Sequence, residues 1–85
     1  MKHPDRILDY PHSLPKLAED VGDMRYYALA ELLSSLADKL ARDGDADAAR
    51  GRTQLSASLR RAASTIADAA REIEKTQAIC APHEK

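Results

Sequence analysis

Apolar positions recur at intervals of three and four residues through the middle of the chain, at Tyr26, Leu29, Leu33, Leu36 and Leu40. Because side chains three and four positions apart share one side of an α-helix, this spacing predicts a helix with one apolar stripe. Gly44 follows Asp43, and a glycine at such a point is typical of a helix C-terminus. We therefore predict a helix over residues 23–43, with Asp23 as its N-cap.

The same alternation resumes further along the chain, at Leu55, Leu59, Ala62, Ile66, Ala69, Ile73, Thr76 and Cys80. It predicts a second helix over residues 46–80, which Pro82 ends. Small residues also recur at intervals of seven, in the pairs Ala62/Ala69 and Ala63/Ala70. Such a repeat allows an antiparallel neighbour to approach closely, so we expect the two helices to form an αα-hairpin with a turn at 43–45.

The N-terminal part of the chain lacks this apolar spacing, and prolines interrupt it at Pro4 and Pro11. Residues 1–12 are predicted to form an irregular arm. Ser13 then suits an N-cap, Pro15 the first turn and Gly22 a C-terminal stop, which together predict a short helix over residues 13–21. The chain is thus interpreted as one helical domain, residues 13–81, followed by a tail of residues 82–85.

The predicted fold class is all-α, an antiparallel helical hairpin with a short N-terminal helix. At 1.5 Å per residue the helix over 23–43 would span about 31 Å and the helix over 46–80 about 52 Å. A turn at 43–45 would therefore leave the end of the second helix uncovered, including Ile66, Ala69, Ala70, Ile73 and Ile79. A hairpin of this size also buries little surface on its own, so we expect a homodimer that forms a four-helix bundle.

Composition supports helices and narrows the function classes. The chain has 16 Ala, no Phe and no Trp, which favours helix over sheet. A net charge of −1 with 32% charged residues is unlike a dedicated duplex-binding domain or a charged disordered tail. The sequence contains neither an apolar run long enough for a membrane span nor an apolar segment of the secretory-signal type. The single cysteine suits a reducing cytoplasm, and the Ala, Arg and Asp bias is typical of GC-rich bacterial genomes.

No set of residues in the chain has the pattern of a catalytic or cofactor site. Asp43, Asp45 and Asp47 alternate like the start of a calcium-binding loop, but the glycine and the glutamate that such a loop needs further on are absent. Cys80 and His83 have the spacing of half a zinc site, so a structural metal site shared by two copies is one alternative. We otherwise expect no enzyme activity and no cofactor.

Charge is segregated along the chain, with net charge −4 over residues 1–47 and +4 over residues 48–71. One interpretation is a nucleic-acid-associated regulator, whose dimer would double a basic patch formed by Arg50, Arg52, Arg60 and Arg61. The alternative, which we favour, is that these arginines pair with the acidic first half of the chain.

The main functional prediction is a protein-interaction module, an adaptor or regulator that presents a helical face to a protein partner. Two adjacent tyrosines, one leucine and two isoleucines near the end of the second helix are the contact residues that we predict: Tyr26, Tyr27, Leu32, Ile73 and Ile79.

Overall fold

The computed structural model describes residues 3–83 and is all-helical, as the sequence predicts. Helix α1 spans Leu14–Gly22, α2 spans Tyr26–Ala49 and α3 spans Thr53–Cys80, with a single 3₁₀ turn at Ala81–His83. No strand occurs within this range. Helices α2 and α3 pack along each other and form the predicted hairpin, which is the main packing of the molecule.

The turn of the hairpin lies at Arg50–Arg52, so the predicted turn at 43–45 is wrong, as are the helix bounds 23–43 and 46–80. Helix α2 continues without a break through Gly44. The left-handed residue of the turn is Gly51, whose φ is +80°, a conformation that a glycine adopts without a steric penalty. The backbone N–H of Arg52 closes the turn by donating to the Asp47 carbonyl at 2.8 Å.

The predicted N-terminus of α1 is confirmed, whereas its C-terminus differs from the prediction. The Ser13 hydroxyl accepts a hydrogen bond from the Lys16 backbone N–H at 3.2 Å and caps the helix as expected. At the other end Gly22 is the last helical residue, without a positive φ, and Asp23 is the C-cap of α1. The prediction that Asp23 caps the next helix is therefore wrong, because Arg25 takes that position and its side chain makes no capping hydrogen bond.

The N-terminal arm contacts α1 through one side-chain cluster. Residues 3–12 contain no helix or strand, as predicted for that part of the arm. The Tyr10 hydroxyl donates to Asp20 Oδ2 at 2.6 Å, and Lys16 Nζ lies 2.8 Å from Asp20 Oδ1. Partial burial, followed by this hydrogen bond, raises the pKa of Tyr10 to about 12. The hydrogen bonds from Lys16 and Tyr10 lower the pKa of Asp20.

The change in turn position removes most of the predicted overhang of the second helix. Helix α2 has 24 residues and α3 has 28, so at 1.5 Å per residue they span about 36 and 42 Å. Ala70, predicted to be uncovered, is 2% exposed, whereas Ile79 near the end of α3 is 73% exposed. The prediction of an uncovered segment is therefore wrong for Ala70, whereas Ala69 and Ile79 are exposed as predicted and Ile66 and Ile73 are half-buried.

Candidate interaction surface

The centre of the hairpin is built from small residues seven positions apart. In α2 the buried residues at this spacing are Ala30, Ala37 and Gly44, and in α3 they are Ser56, Ala63 and Ala70. We call these six residues the seam. An antiparallel register that places Gly44 against Ser56 also places Ala37 against Ala63 and Ala30 against Ala70. The predicted close-packing role of Ala63 and Ala70 is confirmed by their burial, whereas their neighbours Ala62 and Ala69 are half-buried and exposed.

Gly44 explains why its Asp-Gly sequence does not make a turn. A Cβ atom at Gly44 would lie 3.3 Å from the Ser56 carbonyl oxygen and 3.3 Å from Arg60 Cγ. Such distances are tight for a carbon atom, so the helices approach closely because position 44 has no side chain. The glycine thus serves packing between helices, and the conformational freedom of the turn is supplied by Gly51.

The seam ends at the next position of the same spacing in α3, Gln77. This side chain is much larger than the alanines before it, and its Oε1 atom is buried without a hydrogen-bond partner in the described part of the chain. Buried amide oxygens are normally hydrogen-bonded. Close packing by small residues therefore extends from Ala70 toward the turn, and it does not continue to the end of α3.

Large apolar side chains flank the seam on one side of the hairpin. They occupy the positions three residues after and one residue before a seam residue, and Tyr26 continues this pattern seven residues before Leu33. Because both helices are right-handed and run antiparallel, equal offsets from the seam project to the same side of the pair. We call this side the apolar face, and its large residues are Tyr26, Leu29, Leu33, Leu36, Leu40, Leu55, Leu59, Ile66 and Ile73.

The apolar face is open to solvent. Tyr26, Leu36 and Leu55 are 36%, 43% and 47% exposed, and the other large residues of the face are half-buried. Over the range that the structure describes, no large side chain is fully buried. The hairpin thus buries its smallest residues and leaves its leucines and isoleucines partly in water, the reverse of an ordinary core.

The opposite side of the hairpin, which we call the polar face, carries the charges between the helices. Arg60 reaches from α3 to Asp45 of α2 in an ion pair, and its Nε donates to Ser56 Oγ at 3.3 Å. Exposed Ser34 and Ser64 lie on the same side, four residues after Ala30 and one residue after Ala63. The hairpin is therefore amphipathic as a unit, with one apolar and one polar face.

Three of the four arginines predicted as a basic patch are paired with carboxylates of α2. Arg52 and Arg50 lie 3.5 and 3.7 Å from Asp47 Oδ1, and Asp47 is 8% exposed. Arg60 pairs with Asp45. Within residues 3–83, Arg61 has no ion pair. This pairing agrees with the interpretation that the basic segment pairs with the acidic first half of the chain. The nucleic-acid alternative stays a prediction.

The predicted contact residues do not form one surface. Tyr26 and half-buried Ile73 belong to the apolar face. Leu32 and Ile79, 40% and 73% exposed, lie at the outer edges of the pair, and Tyr27, 60% exposed, lies toward the polar face. Sequence reasoning did not select the centre of the apolar face: Leu33, Leu36, Leu59 and Ile66. Their constant offset from the small residues is the signal that could have found them.

The candidate metal residues are not gathered into a site. Asp43, Asp45 and Asp47 lie within little more than one turn of helix α2, and residues two positions apart project to opposite sides of a helix, so they cannot wrap an ion as a loop does. Among the described residues no group of three or more potential ligands could hold a metal ion. Cys80 is half-buried at the end of α3, and His83 lies in the 3₁₀ turn that follows. A metal site shared between two copies stays a prediction.

A scan of protein-family models and searches of curated proteins and solved structures gave no significant match to this chain. In the described part of the chain, no helix combines the length and the apolarity needed to cross a membrane. What the protein does must therefore be inferred from its own surfaces.

Proposed function

We propose that this protein is a non-enzymatic interaction module, which acts by packing the apolar face of its hairpin onto a helical surface of a protein partner. The observation that supports this most directly is the exposure of Leu36 and Leu55 within a continuous apolar face. Contiguous apolar surface of this kind marks protein contacts in soluble domains. The cytoplasm, with its reducing conditions, is the proposed location.

The length of the face indicates what kind of partner fits it. It runs along α2 from Tyr26 to Leu40, a distance of about 21 Å at 1.5 Å per residue. Two parallel ridges of leucine and isoleucine leave a groove between them above the seam. Such a groove matches the apolar stripe of another helix, whose side chains at three- and four-residue spacing would enter it. The partner surface is therefore proposed to be helical.

A photo-crosslinking residue placed on each face tests the proposal in cells that make the protein. Leu36→p-benzoylphenylalanine puts the reactive group on the apolar face, and Ser64→p-benzoylphenylalanine puts it on the polar face. Both native residues are exposed, so neither substitution disturbs the seam. We expect protein adducts from position 36, identified by mass spectrometry, and far fewer from position 64. No adducts from position 36, or equal yields from both positions, would contradict the proposal.

A further inference from the structure

We infer that the partner of the apolar face is a second copy of this chain, so that two hairpins pack face to face as a four-helix bundle. This inference rests on the proposed function, because it names the occupant of the same face. Four observations support it: the surface area of the isolated chain, the shape of the molecule, the small size of α1, and the distribution of charge around the face.

The isolated chain has more surface than a compact protein of its mass. Its accessible surface is 6817 Å², whereas the scaling for folded monomers gives about 5,000 Å² at this mass. The difference exceeds the roughly 800 Å² per partner that a standard protein–protein interface buries. A second copy that covers the face at this standard size would therefore remove about 800 Å² of the excess. The mostly exposed residues of the arm and α1 contribute to the rest.

The shape of the chain also indicates that a second hairpin packs on it. The molecule measures 49 × 30 × 14 Å, and its smallest extent corresponds to a single layer of helices. Its radius of gyration is 15.5 Å, compared with about 12 Å for a compact domain of this length. Folded domains contain at least two packed layers around a core. A second hairpin supplies the missing layer with the geometry of a four-helix bundle.

Helix α1, the one α-helix outside the hairpin within residues 3–83, does not cover the face. Helix α1 has nine residues and contributes no buried residue, and at 1.5 Å per residue it spans about 14 Å, less than half the length of α2. It also packs little against the hairpin, since the extensive contacts between α-helices within residues 3–83 are those of α2 with α3. Helix α1 therefore leaves the apolar face uncovered.

The apolar face is suited to contact with itself. A two-fold contact brings the same patch of each copy together, so any charge at its centre would meet its like. Between Leu29 and Leu40 the face positions of α2 are all leucine, and between Leu55 and Ile73 those of α3 are leucine, isoleucine and alanine. The nearest carboxylate at a face position, Asp43, lies near the turn and is paired with Lys39 at 2.6 Å. Self-association therefore buries no unpaired charge.

The test combines light scattering behind a sizing column with a matched pair of variants. L36K/L55K places two lysines on the apolar face at its two most exposed leucines, where the isolated hairpin tolerates them. S34K/S64K adds the same charge to exposed positions of the polar face. We expect the mass in solution to be twice 9.3 kDa for the wild type and for S34K/S64K, and 9.3 kDa for L36K/L55K. All three proteins should give a helical circular dichroism spectrum.

A wild type of 9.3 kDa at high concentration would overturn the inference, as would an assembly of more than two copies or an L36K/L55K variant that keeps the wild-type mass. If L36K/L55K does not fold, the wild type alone decides. A dimer requires its unfolding midpoint to rise with protein concentration, and a constant midpoint would overturn the inference. A monomeric wild type whose position-36 crosslinker captures a different protein refutes only the second copy. A monomer without adducts refutes the proposed function as well.

Discussion

The seam and the apolar face lie side by side on the same two helices, yet they relate residue size to burial in opposite ways. In the seam, alanine, glycine and serine are almost completely buried, as Ala70 at 2% exposure shows. On the apolar face, residues with three or four more carbon atoms are only half-buried or exposed, as Leu36 at 43% shows. Each helix thus has two sets of apolar positions, and only the seam is buried within the chain.

This difference separates two tasks. The seam brings the helices close together, because small side chains let the backbones approach and make their contacts short. It removes little apolar area from water, since an alanine side chain has little to bury. The large side chains of the apolar face can supply that area, but only when something covers them. Substitutions in the two regions should therefore differ in size and in what they change.

The largest effect is expected from Ala37→Leu in the middle of the seam. Three extra carbon atoms have no space between the helices, so the pair must separate along its length. We expect a loss of about 3 kcal/mol in the free energy of unfolding, the upper part of the range for overpacked cores. Urea unfolding followed by circular dichroism measures it. Ala57→Leu, at an exposed position of α3, is the control and should be nearly neutral. Equal effects of the two substitutions would contradict the packing described for the seam.

A smaller effect is expected from Leu33→Ala on the apolar face, although this change removes three carbon atoms, more than any side chain of the seam contains. Leu33 is half-buried in the single chain, so the loss should be about 1.5 kcal/mol, below the usual range for a fully buried leucine. The measurement is unfolding at concentrations low enough to keep the chain monomeric. At higher concentration the loss should grow, because the same leucine then also contributes to the proposed dimer. A loss that does not depend on concentration would separate the apolar face from assembly.

The smallest effect concerns the turn that sets the register of the seam. Gly51 has a φ of +80° and open space around its Cα, so Gly51→Ala should destabilise the protein by about 1 kcal/mol through backbone strain alone. Gly22 is helical, also in open space, and Gly22→Ala should have the opposite sign with a similar or smaller size. Thermal unfolding of both variants provides the comparison. A stabilising Gly51→Ala would mean that the turn lies elsewhere.

Much of the fold could be predicted, because helix periodicity and small-residue repeats are local signals. The spacing from Tyr26 to Leu40 marked α2, and Ala63 with Ala70 indicated close packing. The position of the turn could not be obtained in the same way. An Asp-Gly pair is a strong turn signal when it is considered alone, and only the contact of Gly44 with Ser56 in the folded pair explains its helical conformation.

The candidate site was less predictable than the fold, for a related reason. Which apolar positions remain exposed depends on the register between the two helices, and the misplaced turn shifted that register by several residues. Both Ile79 and Ala70 were expected to be uncovered; Ile79 is exposed, but Ala70 is buried. Leu36 and Leu59 were recognised as part of a stripe, but which side of the pair they occupy follows only from the seam.

The arrangement of the seam also constrains how the length of this chain can change. Its residues lie at equal distances on either side of Arg50, from Gly44 and Ser56 outward to Ala30 and Ala70. Adding one residue to α2 between Ala37 and Gly44 would turn the small positions before it by about 100° relative to Gly44 and bring Asp38 against α3 in place of Ala37. Insertions or deletions within this hairpin are therefore compatible with the fold only as whole heptads in both helices at once. A change in the length of one helix therefore requires an equal change in the other.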